Sequence, residues 1–271
     1  GGIDIQAGSI VGLSSIILGV AWQDGGVNIW FASLIAMIAA GLCGALSGYF
    51  IAYCGVQPMV VTLGGSFLYS GIALLVSNLS ATESYKGISG FPDSFLRLSK
   101  VKLFGVIPSQ VIIFLILAVL AYFLLHKTRY GRQVFLVGVN PDAAEYSGIH
   151  AKFIIMSTYI LSGISAAVAG IILTSYLGTA KSDIGSTLTL PIITAVVLGG
   201  TLSTGGKGSV PGTALAAVVI GTLRFGLPLC FKVSQQYLDI PAGLLLLAVV
   251  TGRAVLNNPA LKARFLKRER N

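Results

Sequence analysis

The chain opens on a carboxylate set among glycines at the edge of an apolar run, Gly1-Gly2-Ile3-Asp4-Ile5-Gln6-Ala7-Gly8-Ser9. Polar residues beside glycine at such an edge suit broken helix that lines a cavity at membrane depth, which makes Asp4, Gln6 and Ser9 candidates for lining a pathway. Asp4 would serve equally well as a helix cap, and the sequence leaves both open. Arg224 stands inside another apolar run, 15 residues past Ser209, or about 22 Å along a helix. Snorkelling to an interface accounts for it, as does a place at an outer mouth or a subunit contact. Asp183 is the second candidate for that mouth.

Enzymatic chemistry finds no support. His126 and His150 fall at loop edges, so neither is a base for Ser47 or Ser66, and no Gly-x-Ser-x-Gly elbow occurs. The run Gly205-Gly206-Lys207-Gly208-Ser209 has the look of a phosphate-binding loop. That loop needs glycine five residues before its second glycine and a hydroxyl after its lysine, and Thr201 and Gly208 occupy those places. The chain is not expected to bind ATP or any other cofactor, and its residues offer no metal site.

The elements that position these residues belong to a membrane. Of 271 residues 55% are hydrophobic and 10% charged, whereas soluble domains carry roughly 25% charged residues. A spanning helix needs about 20 mainly apolar residues, and no Asp, Glu, Lys or Arg occurs in 25–82, 103–126, 153–180 or 184–206. Eight membrane segments are expected, at about 9–22, 28–53, 57–78, 106–125, 153–178, 188–202, 209–230 and 239–256. The fold class is therefore all-α, a polytopic helical bundle. Its 34 glycines point to close helix contacts, at Gly44-x-x-x-Gly48 and at Gly208-x-x-x-Gly212 continued by Ala216. Cys43, Cys54 and Cys230 lack metal or redox spacing and read as small packing residues.

The net charge of +9 lies between and after the apolar segments with little aromatic interleaving, which favours membrane orientation over nucleic-acid binding. Lys127, Arg129, Arg132 and Lys152 flank one loop, and Arg253, Lys262, Arg264, Lys267, Arg268 and Arg270 mark the tail. The positive-inside rule puts both in the cytoplasm, and the four segments between them agree in parity. The expected organisation is a transmembrane domain over 1–256, with a cytoplasmic loop at 126–152 and an external loop at 79–105, followed by a basic cytoplasmic tail at 257–271. The external loop carries Lys86, Arg97, Lys100 and Lys102 against that rule, and its mixture of Gly, Pro, Ser and charge has room for one short interfacial helix. The opening Gly1-Gly2, without initiator Met or signal pattern, is expected to mark a fragment of a longer chain.

Within the basic loop a short helix is written: Asn140 as N-cap, Pro141 in the first turn, Asp142 at the positive dipole end, and Gly148 as left-handed stop. Its exposed side chains, Ala144 expected among them, could dock into a soluble partner.

At these residues the chain resembles the branched-chain and sugar permease family of ABC importers. The resemblance covers all 271 residues. Its markers are Gly1-Gly2-Ile3-Asp4 with Gly8-Ser9, the Gly131-Arg132 loop with Ala143-Ala144 and Ser147-Gly148-Ile149, and Ala195-Val196-Val197-Leu198-Gly199-Gly200 followed by Gly205 to Ser209. It implies that Asn140, Pro141, Asp142, Ala143, Ala144, Glu145, Tyr146, Ser147 and Gly148 form a helix that couples to a partner ATPase. It also implies a ten-span bacterial inner-membrane permease, two spans of which precede Gly1. The partners would be a second permease subunit (in a heterodimer or a homodimer), ATPase subunits that hold ATP and Mg, and an extracytoplasmic binding protein.

Further similarity, at Gly90-Phe91-Pro92, Leu125-His126-Lys127-Thr128, Ser175-Tyr176 and Pro191 with Ile193-Thr194, is to the autoinducer-2 branch of the family. Translocation of a small neutral sugar-like molecule is the function this implies. Ribose or another monosaccharide is the alternative substrate, and an ion-coupled transporter or channel the alternative class.

Overall fold

Helix boundaries follow local chemistry closely. Asn28 accepts a hydrogen bond from the Trp30 amide at 3.0 Å and starts one helix, Pro58 opens the next, and Gly178, at φ +68°, closes the longest. A computed structural model of the chain describes residues 1–80, 86–103, 105, 107–231 and the pairs 243–244, 247–248 and 251–252. Its elements are α1 (Ala7–Gln23), α2 (Ile29–Ala52), α3 (Pro58–Asn78), β1 (Ile88–Ser89), α4 (Asp93–Lys100), β2 (Lys102–Leu103), β3 (Ile107–Pro108), α5 (Ser109–Tyr122), α6 (Arg129–Val139), α7 (Pro141–Tyr146), α8 (Ala151–Leu177), β4 (Thr179–Ala180), α9 (Thr189–Leu198) and α10 (Val210–Phe231). A π-helical turn, Phe123–Lys127, links α5 to α6.

Four helices among the described residues are long and apolar enough to cross a membrane: Ile29–Ala52, Pro58–Asn78, Ser109–Lys127 and Ala151–Leu177. The expected segments at 9–22 and 209–230 are also helical, while 239–256 falls largely outside the described residues. The segment expected at 188–202 is shorter than the sequence suggested. Its helix stops at Leu198 after 10 residues, about 15 Å and half of a bilayer core. The charge-free run continues past that point to 206, but Gly200 turns to φ +105° and the helix ends.

The chain divides into two compact units, 1–189 with 204–206, and 190–203 with the chain from 207. In the first, α2 and α1 pack along α8, and α1 also packs on α3. Small residues allow the approach: a Cβ at Gly44 would overlap the Tyr159 carbonyl, and one at Gly163 the Ala40 carbonyl. The outer faces of α2 and α3 leave Phe31, Leu42, Phe67 and Leu75 exposed, and no residue of α5 is buried. Apolar surface on this scale suits lipid.

The 79–105 and 126–152 loops lie at opposite ends of α8. At the first, β1 pairs antiparallel with β4 (Ile88 with Ala180), so short strands accompany the helices. There α4 docks by its apolar side: Phe95 is fully buried with Leu18, Ile29, Ile88, Phe91 and Ile171. Ser175 donates to the Phe95 carbonyl at 2.7 Å and Ser99 to that of Ile172 at 3.1 Å. In the second unit Gly212 lies against the Gly199 carbonyl, and Ala195, Ala216 and Ile220 form a small cluster. Both expected small-residue contacts are thus helix contacts. Of the cysteines, Cys43 is half-buried while Cys54 and Cys230 are exposed, so the packing reading fits Cys43 alone.

Candidate functional site

Helix α1 begins below the ends of its neighbours. Its first turn meets α2 at Ser47, five residues before Ala52, and α3 at Gly65, seven residues after Pro58. The helix therefore starts about 8–10 Å inside the bundle, preceded by the non-helical stretch 1–6. Asp4 bridges the start of α1 and the middle of α8. One carboxylate oxygen accepts the Gln6 amide at 3.1 Å, tying down an orphan donor of the helix start, and the other accepts the Ser162 hydroxyl of α8 at 2.5 Å. The same residue lines a cavity.

Gln6 is fully buried. Its Oε1 accepts from Ser47 at 2.7 Å, Tyr69 donates to the Cys43 carbonyl at 2.9 Å, and the Ser47 and Tyr69 oxygens lie 3.1 Å apart. In this arrangement both hydroxyl protons are committed elsewhere, and Gln6 Nε2 finds no partner among the described residues. Half a turn of the carboxamide gives a second arrangement, in which Nε2 donates to Ser47, Ser47 to Tyr69 and Tyr69 to Cys43, so that each of these protons has an acceptor. Gly65 keeps the space, since a Cβ there would overlap Gln6 Oε1. Ser9, on the next turn, accepts from Ser70 of α3 at 2.9 Å, an exposed pair. Thr62 donates to the Ile3 carbonyl at 3.0 Å and holds the non-helical stretch against α3.

The cavity measures about 530 Å³, between the start of α3, the end of α6 and the first half of α8. Its polar lining comes from Asp4, Thr158, Tyr159, Ser162 and Thr204, and among the described residues no Lys, Arg or His takes part. Tyr159, Ser162, Ser47 and Tyr69 escaped the sequence reading, which weighed Ser47 only as a nucleophile. The hydroxyl cluster Ser157, Thr158, Tyr159 and Ser162 in the first half of α8 is the signal that could have found the wall.

The basic loop has the local structure its residues imply. Asn140 caps α7 by accepting the Ala143 amide at 3.1 Å, Pro141 leads the helix, and Gly148 takes φ +80°. Ala144, expected on the exposed face, is instead buried at 4% exposure and packs with Val137, Ala151 and Ile154. Six residues make fewer than two turns, so one face must dock on α6 and α8 to hold the helix at all. Asp142, Ala143, Glu145, Tyr146 and Ser147 face outward, Tyr146 at 94% exposure. Asp183 is exposed in the turn after β4, where its carbonyl accepts the Ser186 amide. Arg224 is half-buried on α10, in the second unit.

This architecture, a bundle of apolar helices with one internal helix start and a capped loop helix, is that of a polytopic helical membrane protein. The family model described as branched-chain amino acid transport system / permease component matches residues 1–250. The autoinducer 2 import system permease protein LsrD of Yersinia enterocolitica is 41% identical over 271 residues, covering 100% of this chain and 81% of that protein. The proteins of the same name from Escherichia coli and Shigella flexneri are each 41% identical over 272 residues, covering 100% of this chain and 82% of theirs. No solved structure matches the chain. The chain belongs to this family of permease components and is a multi-pass membrane protein.

Proposed function

We propose that the chain is the transmembrane subunit of an ATP-driven importer and carries autoinducer-2. The single observation behind this reading is the full-length identity of 41% to permeases named for that import system. The cavity lining agrees with it: hydroxyl groups and one hydrogen-bonded carboxylate, without a cationic side chain, suit a neutral polyhydroxylated solute better than an anion. Asp4 also occupies the positive end of α1, where an anionic ligand would otherwise be attracted.

In this reading the 126–152 loop is cytoplasmic, and the helix from Asn140 to Gly148 receives the push of a partner ATPase that holds ATP and Mg. A second permease subunit completes the path, and an extracytoplasmic binding protein delivers the solute. The test is uptake by proteoliposomes that contain the full complex. ATP-dependent accumulation of autoinducer-2 is expected. Accumulation of ribose alone would keep the importer and reject the substrate, and uptake driven by an ion gradient without ATP would reject the class.

A further inference from the structure

Tyr159 is 5% exposed and lines the 530 Å³ cavity, and its hydroxyl is buried without a hydrogen-bond partner among the described residues. A buried polar group left unpaired costs about 1–3 kcal/mol, and such groups in native proteins call for an explanation. Gly2 packs directly against the phenol, where a Cβ would overlap the Tyr159 oxygen, so a shift of the stretch before α1 is what opens that oxygen to the cavity. The cavity volume falls within the range of about 300–1,000 Å³ usual for small-molecule sites. Its far wall is Val137, Gly138 and Val139 at the end of α6 with Pro141 at the start of α7, the stretch that leads into the loop helix.

We infer that the cavity is a solute-holding site on the loop side of the transport path. The Tyr159 phenol donates to an oxygen of a small uncharged hydroxylated solute, and movement of the Pro141–Tyr146 helix reshapes the wall and lets the solute go. The inference rests on the importer reading above and deepens it, by naming the specificity donor and the wall that the loop controls. Asp4 contributes negative charge and acceptor capacity beyond the bonds from Gln6 and Ser162, so an anionic solute is disfavoured at the same place.

The experiment uses the complete complex in nanodiscs, with Cys43, Cys54 and Cys230 replaced by serine and Thr158→Cys introduced at the cavity wall. Millimolar autoinducer-2 or D-ribose should slow labelling of that cysteine by a small maleimide, and lactate, an anion of similar size, should not. Adding Tyr159→Phe, which removes the hydroxyl and keeps the ring, should raise the concentration for half-protection about three- to tenfold, as expected for one neutral hydrogen bond. If Thr158→Cys does not transport, Ser162→Cys takes its place. A complex that transports autoinducer-2 or ribose but shows no protection, or protection indifferent to Tyr159→Phe, overturns the inference and leaves the importer reading standing. A complex with its native cavity residues that transports neither removes both.

Discussion

The two ends of α8 are built on different terms. At the β1–β4 end, Phe95 and its neighbours form an apolar seal, and the hydroxyls beneath it are spoken for: Ser15 with Thr174, Ser99 with Ile172 and Ser175 with Phe95. At the loop end, α7 is held by a cluster of only four buried residues, Val137, Ala144, Ala151 and Ile154, beside a cavity with an unpartnered phenol. A well-packed, fully satisfied region resists rearrangement, whereas a thinly held helix over a polar cavity can move at little expense. The difference separates a firmly packed end of α8 from a loosely held one.

The contrast is broken most severely at Phe95. Phe95→Ala should cost about 3–5 kcal/mol, read as a large fall in the melting temperature of the purified complex; a shift no larger than that of a surface variant would mean that the seal is not one. Next comes the loop helix, where Ala144→Arg puts a charge into the buried cluster and should cost about 1–3 kcal/mol locally, seen as faster proteolysis between α6 and α8. Tyr146→Ala should change stability by less than about 0.5 kcal/mol. If Tyr146 meets the ATPase, its loss lowers transport several-fold at unchanged melting temperature, so the two variants separate docking of the helix from its coupling.

Smaller still is Asn140→Ala, which removes the cap and should cost about 1 kcal/mol, measured as faster amide exchange at Ala143. No stability change is expected for Ser147→Cys and Ser89→Cys, both at exposed positions. In a background without native cysteines they should label from opposite sides of the membrane. Labelling from one side would overturn the sidedness assigned from the basic clusters.

What the sequence disclosed follows the range of each interaction. The loop helix was legible because Asn140, Pro141 and Gly148 act within a few residues of themselves. The long spans were legible because apolar length alone decides them. The orientation of Ala144 was not, since which face docks depends on Val137 and Ile154 meeting in space. Tyr159 was hidden for a similar reason: its importance arises only when Gly2, more than 150 residues earlier, lies against its hydroxyl. Helix α9 was overestimated because a run without charge does not register the backbone reversal at Gly200.

The 2.7 Å bond between Ser15 and Thr174 joins residues 159 positions apart, and this bears on how the protein is made. At a synthesis rate of about 5–20 residues per second, roughly 8–30 seconds separate the emergence of the two. During that interval α1 has entered the bilayer with a side chain whose partner does not yet exist, and the cleft that α8 will fill stays open beside it. Newly made α1 is therefore provisional, completed only when α8 has followed it. In a nascent chain that ends before Thr174, the Ser15 hydroxyl must turn back to a carbonyl of its own helix, as Ser14 does toward Ile10, until α8 arrives.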